Sequence, residues 1–513
     1  MIAGLLHFVR LIGIARTLAR HDALFPLEMF GVAPLLVAAL KRLPGGKASG
    51  RPGERLSLAL QALGPSFIKF GQSLAVRSDL LGEEMAEDLS ALQDRLPPFP
   101  SIEARRTVER ELGAPVSGLY AKFEDRPVAA ASIAQVHFAE TAEGEPVAVK
   151  VLRPGIEAEF RRDIDFFYWL ARMVLHAKPA LARLRPLEVV RTFEETVLLE
   201  MDLRLEAAAA DELGENAAGD EDFRVPRVDW QHTARRVLTI ERIEGIPIDE
   251  VERLEDAGFD PAEIMERSSR VFFNQVFRDG FFHADMHPGN MFVAPDGALV
   301  PVDFGIMGRL DKRTRNFLAD LLLGFLQRDY RRVAEVHFAA GYVPPHKSRD
   351  AFMQACRAIA EPIFGKPQHE ISIAQLLGQL FHITETFEME AQPQLLLLQK
   401  TMLVAEGVGR RLHPMSNMWL MAEPLIEQWM HENRGPEARL ADTAAEIRVR
   451  VERLPSLLDK AEQLAGLVSE RGLKLDTAAS GGLGGTGGGG FSAAQWRAVA
   501  ILAIALLVLG IIF

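Results

Sequence analysis

One cysteine in 513 residues, Cys356, leaves no possibility of an internal disulfide. That suits a reducing compartment, and the thiol reads as packed rather than nucleophilic. No Cys/His cluster has the spacing of a zinc site. A basic excess is missing as well: 58 Lys and Arg stand against 70 Asp and Glu, for a net charge of −12. This argues against a nucleic-acid binder, which needs a basic face. Acidic residues are absent before Asp22, and no internal repeat is visible. The apolar run Met29 to Leu40 is too short to span a bilayer and is interrupted by Pro34.

What is present centres on His283-Ala284-Asp285-Met286-His287-Pro288-Gly289-Asn290, followed by Asp303-Phe304-Gly305. Two short apolar runs, Met291 to Val293 and Ala298 to Val302, flank a Pro295-Asp296-Gly297 turn and predict a β-hairpin. Such a hairpin holds Asp285, Asn290 and Asp303 at one mouth. An Asp, an Asn five residues on and an Asp-Phe-Gly beyond a hairpin match the catalytic and metal-binding loops of protein kinases. Phosphoryl transfer wants hard oxygen ligands for Mg²⁺ and a carboxylate beside the attacking hydroxyl or water.

Upstream, Ala134 to Glu140 and Pro146 to Leu152 predict paired strands. Val147-Ala148-Val149-Lys150 resembles the kinase strand whose lysine meets the α/β phosphates. A lysine in a cleft needs a carboxylate to keep its proton. Residues 186–216 have helical spacing and supply Glu206 as its partner, with Glu200 as the alternative. Residues 155–178 are also helical in spacing, Arg236 to Ile243 predicts a strand, and Glu244 to Pro247 a hinge. Helical periodicity dominates from Pro261 onward.

Two kinase features are missing. Where a glycine-rich nucleotide loop belongs stands Ala129-Ala130-Ala131-Ser132, whose methyl groups disfavour positive φ and stiffen the loop. No Ala-Pro-Glu follows Asp303-Phe304-Gly305; the chain passes almost directly into a helical pattern, Thr314 to Asp329, so a docking platform for polypeptides is not expected. Further upstream, a helix opening after Gly64-Pro65-Ser66 carries Lys69, Gln72 and Ser73 on one face. Glu200 and Asp202 would answer these if that helix folds over the cleft.

Both ends point to a membrane. Met1 to Arg20 mixes Arg10, Arg16 and Arg20 with apolar residues, the pattern of a helix on an anionic membrane surface, with a plain core helix as the alternative. Near the far end, Ser480 to Gly490 is almost all glycine. Beyond it Ala493 to Phe513 runs apolar after Trp496 and Arg497, as a transmembrane anchor with the body on the cytoplasmic side. The expected class is α+β: a two-lobe, protein-kinase-like fold with an N-terminal helical extension and a C-terminal transmembrane helix. The expected segments are a membrane-surface segment (1–45), an extension with the lid (46–118), a small mixed lobe (119–245) and a helical lobe (246–440). A helical tail (441–479), a glycine linker (480–491) and the anchor (492–513) follow.

The ordered set Lys69-x-Gly71-Gln72, Ala129 to Ser132, Lys150, Glu200-x-Asp202, His283 to Asn290 and Asp303-Phe304-Gly305 resembles the UbiB family of atypical kinases, relatives of the mitochondrial ADCK proteins. Gln93-Asp94, Pro97-Pro98-x-Pro100 and Lys400 to Pro414 fit it too, so the likeness spans roughly 50–415. The resemblance implies binding of ATP or ADP with Mg²⁺ and an ATPase or kinase activity sensitive to anionic lipid. That activity would support ubiquinone biosynthesis on prenylated quinone precursors at the bacterial inner membrane. It implies Asn290 and Asp303 as metal ligands, Ala129 to Ser132 with Lys150 at the nucleotide, and Asp285 at the nucleophile. Lys69, Gln72, Glu200 and Asp202 would form a lid that excludes polypeptides. Two other readings of the chemistry are a protein kinase acting in trans and a nucleotide-gated lipid-binding scaffold without turnover.

Overall fold

The computed structural model describes residues 2–434 apart from 30–33, 42–49, 76–84, 86–87, 90–91, 93–95, 180–184, 363–382, 385, 390–392 and 415–417. An N-terminal helical layer comes first: α1 (Ile2–Arg20), α2 (Phe25–Met29), α3 (Pro34–Leu40), α4 (Pro52–Leu63), α5 (Pro65–Ala75), α6 (Ser101–Leu112) and α7 (Val116–Leu119).

The expected surface helix α1 forms, but one of its faces belongs to the body. Leu11, Ile14, Ala15 and Leu18 are buried in the main core, and Arg10 is ion-paired with the buried Asp163. Each such aliphatic side chain stabilises the contact by about 1.5–3 kcal/mol. The face turned outward is a second one, apolar at Leu5, Leu6, Phe8 and Val9 and basic at Arg16 and Arg20.

Next come β1 (Tyr120–Phe123), β2 (Ala129–Ala130), β3 (Ala134–Thr141) and β4 (Pro146–Leu152). Alternating burial along β3 and β4 is what a sheet with one covered face requires. Their tight connection turns at Gly144, whose φ of +87° disfavours a side chain. Helices α8 (Ile156–Ala177), α9 (Pro186–Glu200) and α10 (Leu203–Asn216) follow, then β5 (Val237–Glu241). The antiparallel sheet runs β1-β3-β4-β5, with β2 on the far side of β3. Lys150 lies between Val136 and Leu238 in its register.

The helical part begins with β6 (Ile246–Pro247), α11 (Val251–Asp256) and α12 (Pro261–Phe273). The expected hinge is thus also a strand, since Ile246 pairs with Val293. A π-helical turn at Asn274–Asp279 leads into β7 (Phe281–His283), β8 (Met291–Val293), β9 (Leu299–Pro301) and β10 (Met307–Arg309). The predicted hairpin forms as β8–β9, with Met291 opposite Pro301. Helices α13 (Lys312–Leu326), α14 (Tyr330–Ala340), α15 (Arg349–Ala360), α16 (Pro393–Leu412) and α17 (Met418–Arg434) complete the described chain. Asp260, Asp311, Asp329 and Ser348 cap α12 to α15 by accepting a first-turn N–H. Cys356 is buried, and burial pushes its thiol up to about 12, as a packed thiol should be.

Among the described residues no helix is long and apolar enough to cross a membrane. The expected tail, glycine linker and anchor (441–513) lie outside the described residues, as do Gln93 and Asp94.

Candidate active site

Lys150 bridges the two parts of the molecule. Its Nζ lies 2.6 Å from Glu206 Oε1 on α10 and 3.3 Å from Asp303 Oδ1 in the Asp-Phe-Gly loop. Of the two carboxylates offered in the sequence, Glu206 is the partner and Glu200 is not. Burial alone would lower the lysine, but the charges of Asp303 and Glu206 outweigh it and hold the ammonium above its ordinary value. Glu206 is pushed up to about 7 by burial, with Lys150 pulling against that shift. At Asp303 burial is outweighed first by Lys150, then by the Gly305 N–H and by Lys69, and the carboxyl is held well below the usual range. One carboxylate on the lysine is thus firmly ionised, while the other titrates near neutrality.

The catalytic and Asp-Phe-Gly loops are joined by β7 pairing with β10 and by His283. Its Nε2 meets the Asp303 carbonyl, while its Nδ1 accepts the Asp285 N–H at 3.2 Å. Burial holds this ring below its ordinary value, so it stays neutral and can donate on one side while accepting on the other. The His283 N–H is itself taken by Gln275 Oε1 at 3.0 Å, from the π-helical turn. Phe304 is buried against the His283 ring, 6.1 Å between centroids. Neither the positioning role of His283 nor that of Gln275 was legible in sequence, because each depends on strand register and on one extra residue in a helical turn.

Asn290 closes the open end of the hairpin: its carbonyl accepts the Val302 N–H at 3.0 Å, which brings its backbone next to the residue that precedes Asp303. A carboxylate held ionised and a neutral amide oxygen are hard donors, and Mg²⁺ in nucleotide sites uses one or two protein ligands plus phosphates. The residues fit that ion, and Asp303 and Asn290 would hold it.

The alanine loop departs from expectation in part. Ala129 and Ala130 form β2, paired with Val136 and Gln135. The Ala131 carbonyl accepts from Arg153 Nε at 3.0 Å and Nη2 at 2.8 Å. Arg153 also donates to Pro97 O at 2.9 Å, tying the loop to the extension. Ser132, expected at the nucleotide, is fully buried beneath the loop. Only Ala129 to Ala131 remain at the surface of the loop.

The helix expected to form the lid is α5. Lys69 Nζ is 3.0 Å from Glu200 Oε2, both largely buried. Phe70 stacks on Phe167 at 4.5 Å and meets Phe193 edge-on at 5.2 Å, clamping α5 to α8 and α9. At Gly71 a Cβ would come within 2.6 Å of Leu92 Cδ1 and 2.7 Å of Leu60 Cδ1, so any side chain there would push two leucine tips aside. Gln72 donates to the Leu92 carbonyl at 3.3 Å. Asp202 stands elsewhere than the lid contact expected of it. The helical stretch breaks at Met201, so Asp202 becomes the N-cap of α10, accepting the Arg204 N–H at 3.2 Å and its guanidinium at 2.6 Å. It is not a lid contact.

Because Lys69 and Glu200 are both withdrawn from water, breaking one side leaves a buried charge, at a cost of about 3 kcal/mol. Lys69→Met is therefore expected to lower the urea midpoint clearly, and Lys69→Met/Glu200→Leu to recover most of it. A double variant no more stable than the single one would show that the pair is not the lid's electrostatic lock.

The sequence marks Lys400 only as the start of a longer likeness, yet its Nζ lies 2.7 Å from Asp285 Oδ1.

Comparison with known proteins follows this geometry. Residues 91–337 match the ABC1 atypical kinase-like domain and residues 356–417 the UbiB helical domain. Among curated proteins, the chain is 44% identical over 454 residues to "Probable protein kinase UbiB" of Marinobacter nauticus, covering 88% of this chain and 81% of that one. The Aeromonas salmonicida protein of the same name is 47% identical over 79% of this chain and 75% of its own. A solved structure, Rv3197 of Mycobacterium tuberculosis in complex with erythromycin, superposes with a TM-score of 0.50 at 26% identity. It covers 79% of this chain and 98% of that one.

Proposed function

Because this chain belongs to the UbiB family of atypical kinases, we propose that it is a Mg²⁺-dependent ATPase or small-molecule kinase, held at the cytoplasmic face of the bacterial inner membrane, that serves ubiquinone biosynthesis by processing or extracting prenylated quinone precursors. The single observation that carries the reading is Lys150 shared between Glu206 and Asp303. This leaves a cation for the α/β phosphates and a carboxylate for the metal on opposite sides of one cleft. When bound, Mg²⁺ would supply charge neutralisation at the phosphates. Asp285 orients the acceptor hydroxyl or water, and His283 fixes the loop that carries it.

A protein kinase acting in trans is the second reading, favoured by the name that the curated relatives carry. Against it stands the short passage from Gly305 through β10 to the start of α13 at Lys312, which leaves little chain for a peptide-docking segment. The experiment that tests the first reading measures phosphate release from ATP by the full chain, with and without vesicles containing anionic lipid. It is paired with lipid analysis of a strain lacking the chain. Hydrolysis indifferent to lipid and a normal quinone profile would overturn it.

The outward face of α1 supports the membrane part of the proposal. Four exposed apolar side chains followed by two exposed arginines, with no acidic residue on the helix, suit an anionic interface. Leu5→Asp/Val9→Asp should weaken binding to anionic vesicles about tenfold or more, with the unfolding midpoint unchanged because neither residue is buried. Unaltered flotation with vesicles would remove α1 from the membrane contact.

A further inference from the structure

The transferring phosphoryl group spreads negative charge over three oxygens, and enzymes of this chemistry place a cation there. The catalytic loop supplies none. From His283 to Asn290 its titratable side chains are the neutral His283, Asp285, and His287, whose Nδ1 accepts the Gly289 N–H at 3.1 Å and so closes the turn. Lys150 is engaged by Glu206 and Asp303. Lys69 is engaged by Glu200. Among the described residues, the cation paired with Asp285 comes from α16, well outside the stretch that matches the kinase-like domain: Lys400, 2.7 Å from the carboxylate.

Its setting is firm at the backbone and loose at the tip. α16 packs against α12 and β10. Thr401 beside it is fully buried, its hydroxyl donating to Leu397 O at 2.9 Å, and Leu398 is buried too. The Lys400 and Asp285 side chains nonetheless keep 36% and 32% of their surfaces exposed. The ammonium can therefore swing from the carboxylate to a ligand without moving the helix.

We propose that Lys400 is a catalytic residue contributed by the helical domain: it holds Asp285 when no nucleotide is present and binds the γ-phosphoryl oxygens when ATP is. The geometry behind it is simple. Acceptor and γ-phosphoryl must lie between Asp285 and Asp303, and a lysine tip already touching Asp285 has those oxygens within its arc. The kinase-like core would then be incomplete without α16, and the helical domain would serve chemistry as well as architecture. This inference rests on the nucleotide reading above.

The test compares Lys400→Met and Lys400→Arg in the full chain with anionic vesicles. It reads kcat, KM and the separate affinities for ADP and a non-hydrolysable ATP analogue. For Lys400→Met, ADP affinity should stay within about twofold, analogue affinity should fall about tenfold, and kcat should fall tenfold to a hundredfold. Lys400→Arg, which keeps the charge, should keep the preference for the triphosphate. Equal losses for both nucleotides, or no loss for either, would overturn the proposal. So would loss of the triphosphate preference in Lys400→Arg with ADP binding intact, which keeps the question decidable should Lys400→Met fail to fold. A wild-type chain that binds no nucleotide would defeat the functional reading itself; wild-type turnover with an indifferent Lys400→Met would defeat only this inference.

Discussion

Asp303→Asn is expected to reduce ATP hydrolysis by on the order of 10³-fold or more while leaving the fold intact. The carboxylate is nearly half exposed in the cleft, with Lys150 at 3.3 Å and the Gly305 N–H at 3.1 Å on the same oxygen. Asparagine keeps the shape and can still accept the Gly305 N–H, so the local turn survives. What disappears is the charge. Burial pushes this carboxyl up, but Lys150 and then the Gly305 amide overcome the shift, so the wild-type group stays ionised throughout the working range. A neutral amide would bind a divalent ion weakly, and the phosphates would lose their counter-charge. Phosphate release assayed beside the unfolding midpoint checks this, and a variant that hydrolyses ATP at the wild-type rate would end the phosphoryl-transfer account.

Lys150→Met is expected to lower kcat/KM by about 10²–10³-fold, since one ammonium is removed from the phosphate side of the site. The fold should tolerate the change through Glu206. Without its cation this buried carboxylate would be costly if ionised, but it already sits at about 7 and would simply keep its proton. The same shift makes a stability prediction with a definite sign. Burial raises Glu206 above its unfolded value, so between its ordinary range and about 7 the folded chain holds a proton that the unfolded chain has released. Its contribution to stability is therefore fully present at low pH and is lost as pH rises toward 7. Lys150 and Asp303 are shifted outside that window and do not mask it. Urea midpoints from pH 5 to 8 should fall less steeply in Glu206→Gln than in the wild type; parallel curves would show that Glu206 does not titrate there.

The pieces legible from sequence were those whose geometry is carried by a few neighbouring bonds. The Pro295-Asp296-Gly297 turn and its two apolar flanks gave the β8–β9 hairpin, and with it the approach of the Asn290 backbone to Asp303. Strand alternation gave the β3–β4 hairpin and the place of Lys150 within it. The spacing of 186–216 gave helix but not the break at Met201, and that one irregularity moved Asp202 from the lid to a cap. Helical amphipathicity in α1 gave an apolar stripe; which surface would receive it was a separate matter, and Leu11, Ile14 and Leu18 went to the core.

By itself, then, the sequence determined the chemical inventory: the carboxylates, amide and lysine of a phosphoryl-transfer site, each in a local frame set by turns and strand periodicity. Only the tertiary structure decided the pairings: Glu206 rather than Glu200 on Lys150, Glu200 on Lys69, and Lys400 across 115 positions on Asp285. The reason is physical. Local preferences fix dihedral angles over a few residues, whereas an ion pair between distant segments exists only when core burial has oriented whole helices, and no spacing along the chain encodes that orientation.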